Sequence, residues 1–97
     1  WSSDVCSSDL KGVVVVDFFA TWCAPCKMLA PVLEEVASEM GEVKVLKIDV
    51  DESPETATKY GVQSIPTIKI FKDGAEVETK VGFMPKDILK EAIEEVL

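Results

Sequence analysis

Two cysteines separated by two residues are the feature of this sequence best suited to chemistry. Cys23, Ala24, Pro25 and Cys26 follow Trp22 directly, where an apolar run gives way to a helical pattern. At this spacing two thiols can close a small disulfide ring and open it again. Free amide groups at a helix start favour the thiolate of the first thiol, and the thiolate is the form that attacks disulfides. The motif predicts thiol–disulfide exchange, with Cys23 as nucleophile and Cys26 as resolving thiol.

A metal knuckle and a pair of inert core thiols are the other uses of two cysteines at this spacing. The chain has three cysteines and no histidine, whereas a structural zinc site normally takes four ligands. Without histidine, Cys–His and Ser–His catalysis are excluded as well. We therefore expect no metal and no bound cofactor, since a dithiol itself carries both electrons.

Length and charge bound the class of protein. The chain has 97 residues, 18 acidic against 10 basic, and a net charge of −8. This length fits one domain, and the acidity argues against binding to nucleic-acid phosphates. No window approaches the roughly 20 apolar residues of a membrane span. We expect a monomer with neither a nucleic-acid nor a membrane partner, and one reactive pair in a cysteine-poor chain points to a reducing, cytoplasmic compartment.

The first ten residues, WSSDVCSSDL, differ from the rest of the chain. They form a near-duplicate of low complexity and resemble sequencing-adapter read-through translated onto the front of an incomplete gene. A flexible terminus or a short helical remnant is the ordinary alternative. We predict a non-native or disordered segment over 1–10 and one domain over 11–97.

Apolar patterns predict the elements that hold the cysteines. The run from Val13 to Phe19 is β-branched and aromatic on both alternating faces, which is typical of a central parallel strand. A helix follows from the cysteines to about Met40, and residues 43–50 form a second buried strand. The remaining predicted elements are a short helix from Pro54 to Gly61, hairpin strands over 67–71 and 75–81, and a last helix that Pro85 opens. This order predicts an α/β fold, with a mixed sheet of about four strands flanked by helices.

Asp17 stands inside the apolar run of the first strand. Because burial makes ionisation costly, we expect a raised pKa and a carboxyl group that holds or passes a proton near neutrality. The alternative is that Asp17 ends the strand and points to solvent.

These landmarks, in this order and spacing, resemble the thioredoxin family over residues 11–97. They are Asp17-Phe18, Trp22-Cys23-Ala24-Pro25-Cys26-Lys27, Pro31, Lys47, Tyr60-Gly61-Val62, Ile65-Pro66-Thr67 and Val81-Gly82. The resemblance implies a thioredoxin-like fold and a protein-disulfide reductase. Such a reductase acts on disulfide-containing protein substrates and is recharged by thioredoxin reductase.

Three departures from the family pattern matter. Ala24 stands where the family usually has glycine, and Phe19 where thioredoxins often carry a second tryptophan. The family's first strand and helix are missing or replaced by the first ten residues, so we expect an N-terminally truncated fold. Without a covering strand, Val43–Asp49 would be an open edge.

The resemblance also assigns roles beyond the thiols. It places Asp17 beneath Cys26 as the general base for resolution, with Lys47 as its partial counter-charge. For Lys47, a solvated surface position is the alternative. It further implies a cis peptide bond between Ile65 and Pro66 against the disulfide, where the Ile65 backbone would pair with an extended substrate strand.

A flat apolar patch around Cys23 is the implied substrate-binding surface. Its residues are Trp22, Ala24, Pro25, Ile65, Pro66 and Gly82, together with Phe83. Core packing is the alternative for Trp22, and Phe83 and Met84 are more often core than contact. Local backbone geometry is the alternative for Gly82.

Two other functions stay open. One is a disulfide oxidase or isomerase of an oxidising compartment. The other is a thioredoxin-like binding subunit with non-essential thiols, against which the intact set of Cys23, Cys26 and Asp17 counts.

Overall fold

The computed structural model describes residues 12–97. In chain order, the elements of this part are β1 (Val13–Phe19), α1 (Ala24–Glu39), β2 (Val43–Asp49), α2 (Pro54–Lys59), β3 (Thr67–Lys72), β4 (Ala75–Val81) and α3 (Lys86–Glu94). The predicted N-terminal segment over 1–10, and with it the predicted domain start at residue 11, lies outside the described residues.

The four strands form one mixed sheet in the order β2-β1-β3-β4. β1 runs parallel to β2 and antiparallel to β3, and β3 and β4 form the antiparallel hairpin. The predicted α/β fold with a mixed four-stranded sheet is therefore confirmed. Among the described residues β2 pairs with β1 alone, so it lies at an edge of the sheet as expected.

β1 is buried on both faces because its side chains alternate between two apolar layers. Val13 and Val15 belong to one core cluster, with α1 and α3, while Val14 and Val16 belong to a second cluster that includes Ala57 of α2. Helices therefore cover both faces of the sheet. This sandwich fixes the carboxyl end of β1, from which the chain turns into the cysteine motif.

α1 packs one apolar stripe against the sheet. Leu29, Leu33 and Val36 are buried on it, at the helical spacing expected from the sequence. Pro25 occupies the first turn, where its missing N–H removes no helical hydrogen bond. Pro31 lies inside the helix, as predicted. The stripe anchors the helix and thus the position of its first turn.

The hairpin between β3 and β4 closes through two residues with positive φ. Asp73 has φ 52° and Gly74 has φ 87°, the combination that matches the right-handed twist of paired strands. The Asp73 N–H donates to the Gly12 carbonyl at 2.9 Å, and the Gly12 N–H donates to Asp73 Oδ1 at 2.8 Å. These bonds hold the turn beside the start of β1.

The last helix, α3, buries one stripe of its apolar residues. Leu89, Ala92 and Ile93 are buried, whereas Ile88 and Leu97 are exposed. Ile88 lies about 100° around the helix from Leu89 and so falls outside the buried stripe, and Leu97 lies beyond the helix end at Glu94. In the part of the chain that the structure describes, no helix is long and apolar enough to cross a membrane.

Candidate active site

Cys23 and Cys26 form a disulfide at the start of α1, with their Cα atoms 5.2 Å apart. Cys23 is the N-cap of the helix and has an extended backbone, while Cys26 lies in the first turn. The Cys26 N–H donates to Cys23 Sγ at 3.2 Å. An amide donor on a sulfur at a helix N-terminus stabilises negative charge there, so the geometry favours a thiolate at Cys23 once the disulfide opens.

Burial hardly distinguishes the two cysteines in the disulfide form. Cys23 is 5% exposed and Cys26 is 3% exposed, so Cys23 is only marginally the more accessible in the disulfide form. Both cysteines pack in a small apolar cluster with Ala20, and Ile65 lies against it. Position at the helix start, rather than exposure, distinguishes Cys23 from Cys26.

Asp17 is buried on β1, which confirms that it does not end the strand facing solvent. It is 2% exposed, and its Oδ1 has no hydrogen-bond partner among residues 12–97. Burial raises the pKa of Asp17 from 3.8 to about 6, and the charge of Lys47 opposes part of that increase. The carboxyl group therefore exchanges its proton close to neutral pH.

A pocket of about 330 Å³ connects Asp17 with the cysteine motif. Asp17, Cys26, Lys27 and Lys47 are among its lining residues. Lys47 reaches it because β1 and β2 place Asp17 and Lys47 side by side in register. The fold thus gathers three of the predicted site residues, Asp17, Cys26 and Lys47, around one cavity.

The segment before β3 forms the other wall beside the disulfide. The Ile65–Pro66 peptide bond is cis, as the resemblance implied. The Gly82 N–H donates to the Pro66 carbonyl at 2.8 Å, and the Thr67 hydroxyl donates to the Ser64 carbonyl. These bonds join the end of β4 to the proline loop next to the thiols.

The predicted apolar patch is exposed in part. Trp22 is 67% exposed, which rules out plain core packing, and Ala24 and Pro25 are also exposed. Ile65 and Gly82 are half-buried, and Pro66 is buried. The patch therefore presents a tryptophan and the first turn of α1 to solvent, with Ile65 at its base.

Phe83 and Met84 behave differently from each other. Met84 is 6% exposed and joins the main core, whereas Phe83 is 44% exposed, so the core alternative is correct for Met84 and wrong for Phe83. Gly82 has φ +94°, and a Cβ built there meets nothing within 4 Å. Its backbone conformation, rather than crowding, therefore requires glycine.

Asp51 is a site residue that the sequence did not reveal. The Trp22 indole N–H donates to Asp51 Oδ2 at 2.7 Å, and the Asp51 N–H donates to Asp49 Oδ1 at 2.9 Å. The only sequence signal is a set of acidic residues after β2, and such a set is typical of a solvated turn. Tertiary proximity to Trp22 gives Asp51 its role in orienting the exposed indole.

A mixed α/β sheet with a two-residue disulfide ring at a helix start, beside a cis-proline and a buried carboxyl group, defines a thiol–disulfide oxidoreductase. The family model described as Thioredoxin matches residues 1–95. Thioredoxin of Bacillus subtilis is 62% identical over 84 residues, covering 86% of this chain and 81% of its own. Thioredoxin of Staphylococcus epidermidis is 55% identical over 96 residues, covering 98% and 92%.

A solved structure agrees with these sequence comparisons. Thioredoxin NaTrxh from Nicotiana alata superposes with a TM-score of 0.85 at 45% identity, over 92% of this chain and 76% of that one. The chain belongs to the thioredoxin family. It is a protein-disulfide reductase, and as a thioredoxin it acts on disulfide-containing proteins and is itself reduced by thioredoxin reductase.

Proposed function

We propose that Cys23 attacks the substrate disulfide and that Cys26 resolves the mixed disulfide. The observation that carries this assignment is the hydrogen bond from the Cys26 N–H to Cys23 Sγ at the N-cap of α1. Only Cys23 receives this donor within the motif, so its thiolate is the better stabilised of the two.

The electrons balance over two exchanges. The Cys23 thiolate bonds to one substrate sulfur, the substrate S–S bond breaks, and the other substrate sulfur leaves as a thiolate and takes up a proton. Cys26 then loses its proton and attacks Cys23 Sγ, the mixed disulfide breaks, and the second substrate sulfur leaves as a thiolate that also takes up a proton. The dithiol has become the Cys23–Cys26 disulfide, and the substrate has gained two electrons and two protons.

Asp17 is the proposed acceptor of the Cys26 proton. It shares a pocket with Cys26, and a pKa of about 6 leaves it mostly ionised near neutral pH and still basic enough to accept a proton. Lys47 lines the same pocket and lowers the pKa of Asp17. Its proposed role is to keep the buried carboxylate available as a base.

The substrate chain is proposed to dock beside the proline loop. An extended segment would pair with the backbone of Ile65, next to Pro66 and Gly82. The exposed Trp22, Ala24 and Pro25 would then contact the residues around the substrate disulfide. Continuity of these residues with the buried disulfide supports this placement.

The last part of the proposal concerns where the chain acts and which enzyme reduces it. The chain would act as a monomer in the cytoplasm and be recharged there by a thioredoxin reductase, as the similarity to bacterial thioredoxins supports. The chain would select the proteins that it reduces through contacts with the apolar patch around Cys23, and not through a bound cofactor.

Trapping of the mixed disulfide tests the assignment of the two thiols. Cys26→Ser should accumulate a covalent complex with a disulfide-bonded protein such as insulin, joined through Cys23 and released by dithiothreitol. Cys23→Ser should accumulate none at the same pH. Equal trapping by both variants, or trapping through Cys26 alone, would overturn the assignment while leaving the family membership intact.

A further inference from the structure

β4 is an edge strand that has no strand on its outer side among residues 12–97. The sheet order β2-β1-β3-β4 places it last, and within these residues it pairs with β3 alone. An edge strand presents unpaired backbone N–H and C=O groups to which another strand can bond. Val77 and Val81 of this strand are 45% and 63% exposed. β4 therefore combines an open backbone edge with exposed apolar side chains.

Thr79 directs its backbone N–H to the open side of β4. This N–H donates to the side chain of the preceding residue, Glu78 Oε1, at 3.2 Å. The Gly82 N–H, three positions further on, donates to the Pro66 carbonyl on the β3 side at 2.8 Å. Backbone donors along an antiparallel strand point alternately to its two sides. The two bonds together therefore indicate that the Thr79 N–H points away from β3.

Side chains of opposite charge lie on one face of this edge, symmetrically about Thr79. Glu78 and Lys80 are the register partners of Ile70 and Ile68, and both isoleucines belong to the core cluster that α3 also joins. Glu78 and Lys80 are therefore both on the α3 side of the sheet. An acid precedes the central residue and a base follows it, so the strand is complementary in charge to an antiparallel copy of itself.

We propose that a second copy of this chain binds antiparallel at the β4 edge, with Thr79 opposite Thr79. A two-fold symmetric contact repeats each pair of residues, so Glu78 faces Lys80 of the second copy twice. Each Thr79 N–H then donates to the Thr79 carbonyl of the other copy, and Val81 lies opposite Val77 of the second copy. If the centre moved by one residue, Glu78 would face Glu78 or Lys80 would face Lys80, and like charges directly opposite are destabilising.

Charges and bulges on an edge strand ordinarily keep it from associating. β4 has both, since its pairing with β3 shifts register between Ile70 and Phe71. Glu78 and Lys80 disfavour a strand without matching charges, whereas a second copy supplies them. Because the bulge shortens the regular edge, the contact is small, and we expect a weak pair that forms only at high concentration. The separate chain remains the form that acts on substrates in the proposed function.

Charge exchange tests this register. Sedimentation velocity of the full chain would be measured up to the millimolar range, with dithiothreitol present to exclude intermolecular disulfides. Glu78→Lys makes both charge pairs repulsive and should raise the dissociation constant at least about tenfold, and Lys80→Glu should do the same. The double variant Glu78→Lys/Lys80→Glu restores opposite charges. Its dissociation constant should return to within about threefold of that of the unmodified protein.

Glu34→Lys is the matched control. Glu34 is an exposed acid of α1, and its replacement alters the net charge of −8 by the same amount as Glu78→Lys. A smaller net charge by itself favours association, so Glu34→Lys should dimerise at least as well as the unmodified protein, and Glu78→Lys should dimerise less. At low concentration all variants should reduce insulin at the unmodified rate, which shows that the thiols and the fold are intact.

Amide hydrogen exchange locates the contact. The Thr79 N–H should exchange more slowly as the concentration rises, because it gains the Thr79 carbonyl of the second copy as acceptor. The proposal is overturned if the unmodified protein stays monomeric over the whole range, or if the double variant dimerises no better than the single ones. Protection of β2 amides in place of Thr79 would overturn it too. None of these results bears on the thiol chemistry, so the proposed function would stand in each case.

Discussion

Asp17 and Lys47 are register partners on neighbouring parallel strands, and both line the pocket that reaches Cys26. The pairing places a buried carboxyl group and a cation beside the Cys26 sulfur, the proposed resolving thiol. Burial dominates over the cation, because the pKa of Asp17 rises to about 6 despite Lys47. The site thus holds a carboxyl group that ionises close to neutral pH.

Asp17→Asn should slow resolution of the mixed disulfide far more than the first attack. A positioned general base contributes on the order of 10²-fold or more, and the amide of asparagine cannot accept the Cys26 proton. In the unmodified protein the resolution rate should rise as the pH passes about 6, where Asp17 ionises. The variant should lack this step in a rapid-mixing measurement from pH 5 to 8. Equal slowing of both exchanges would contradict a proton-transfer role for Asp17. The control is Asp87→Asn, which changes an exposed acid and should slow neither exchange.

The same substitution should stabilise the oxidised protein at high pH. The folded-state pKa of about 6 lies above the ordinary 3.8, so between these values the folded protein holds a proton that the unfolded chain has released. Ionisation of Asp17 therefore costs stability as the pH rises through this window, by about 3 kcal/mol at most, given about 1.36 kcal/mol per pKa unit. Denaturant unfolding of Asp17→Asn should show its largest gain near pH 8 and little gain near pH 4. A gain independent of pH would contradict this origin.

Asp51→Ala should weaken substrate binding through Trp22. The indole N–H donates to Asp51, and loss of this bond leaves the exposed ring free to adopt other rotamers. A hydrogen bond to a charged group contributes about 1.5–3 kcal/mol when well shielded, and less at an exposed site, so we expect an increase in KM of a few fold. Thermal stability should change little. Glu52→Gln, a change of the neighbouring exposed acid, should leave KM unaltered, and an equal effect of both variants would point to general charge instead.

Lys69 offers a test of how its ion pair contributes to the sheet. Its ammonium group is buried between Glu76, at 3.0 Å, and Thr79, at 3.2 Å. Glu76→Ala leaves this charge without its carboxylate and should destabilise the protein by about 1–3 kcal/mol. Lys69→Met removes the charge altogether and should be nearly neutral. If Lys69→Met proved the more damaging change in denaturant unfolding, the ion pair itself would be a net source of stability.

Much of the fold follows from sequence because local signals agree with one another. The β-branched run of Val13–Phe19, the apolar stripe of α1 and the Asp73–Gly74 turn each predict the element that is observed. Burial of Asp17 was also predictable, since its neighbours on β1 leave no polar face.

Features that depend on contacts between distant segments could not be predicted from the sequence. Asp51 bonds to Trp22 across 29 positions, and nothing local identifies it as a partner. Phe83 and Met84 have equally apolar side chains, and only the path of the loop decides that one is exposed and the other buried. The near-equal burial of Cys23 and Cys26 arises in their cluster with Ala20, against which residues from distant segments, Val50 and Ile65, pack.

A redox titration of the Cys23–Cys26 pair tests the central claim most directly. The protein would be equilibrated in glutathione or dithiothreitol buffers, and the reduced fraction would be counted by thiol alkylation and mass spectrometry. The account predicts one cooperative two-electron transition with a midpoint near about −270 mV, as expected of a reductant. A midpoint of about −120 to −180 mV would instead describe an oxidase or isomerase, and the absence of any coupled transition would contradict a redox-active pair.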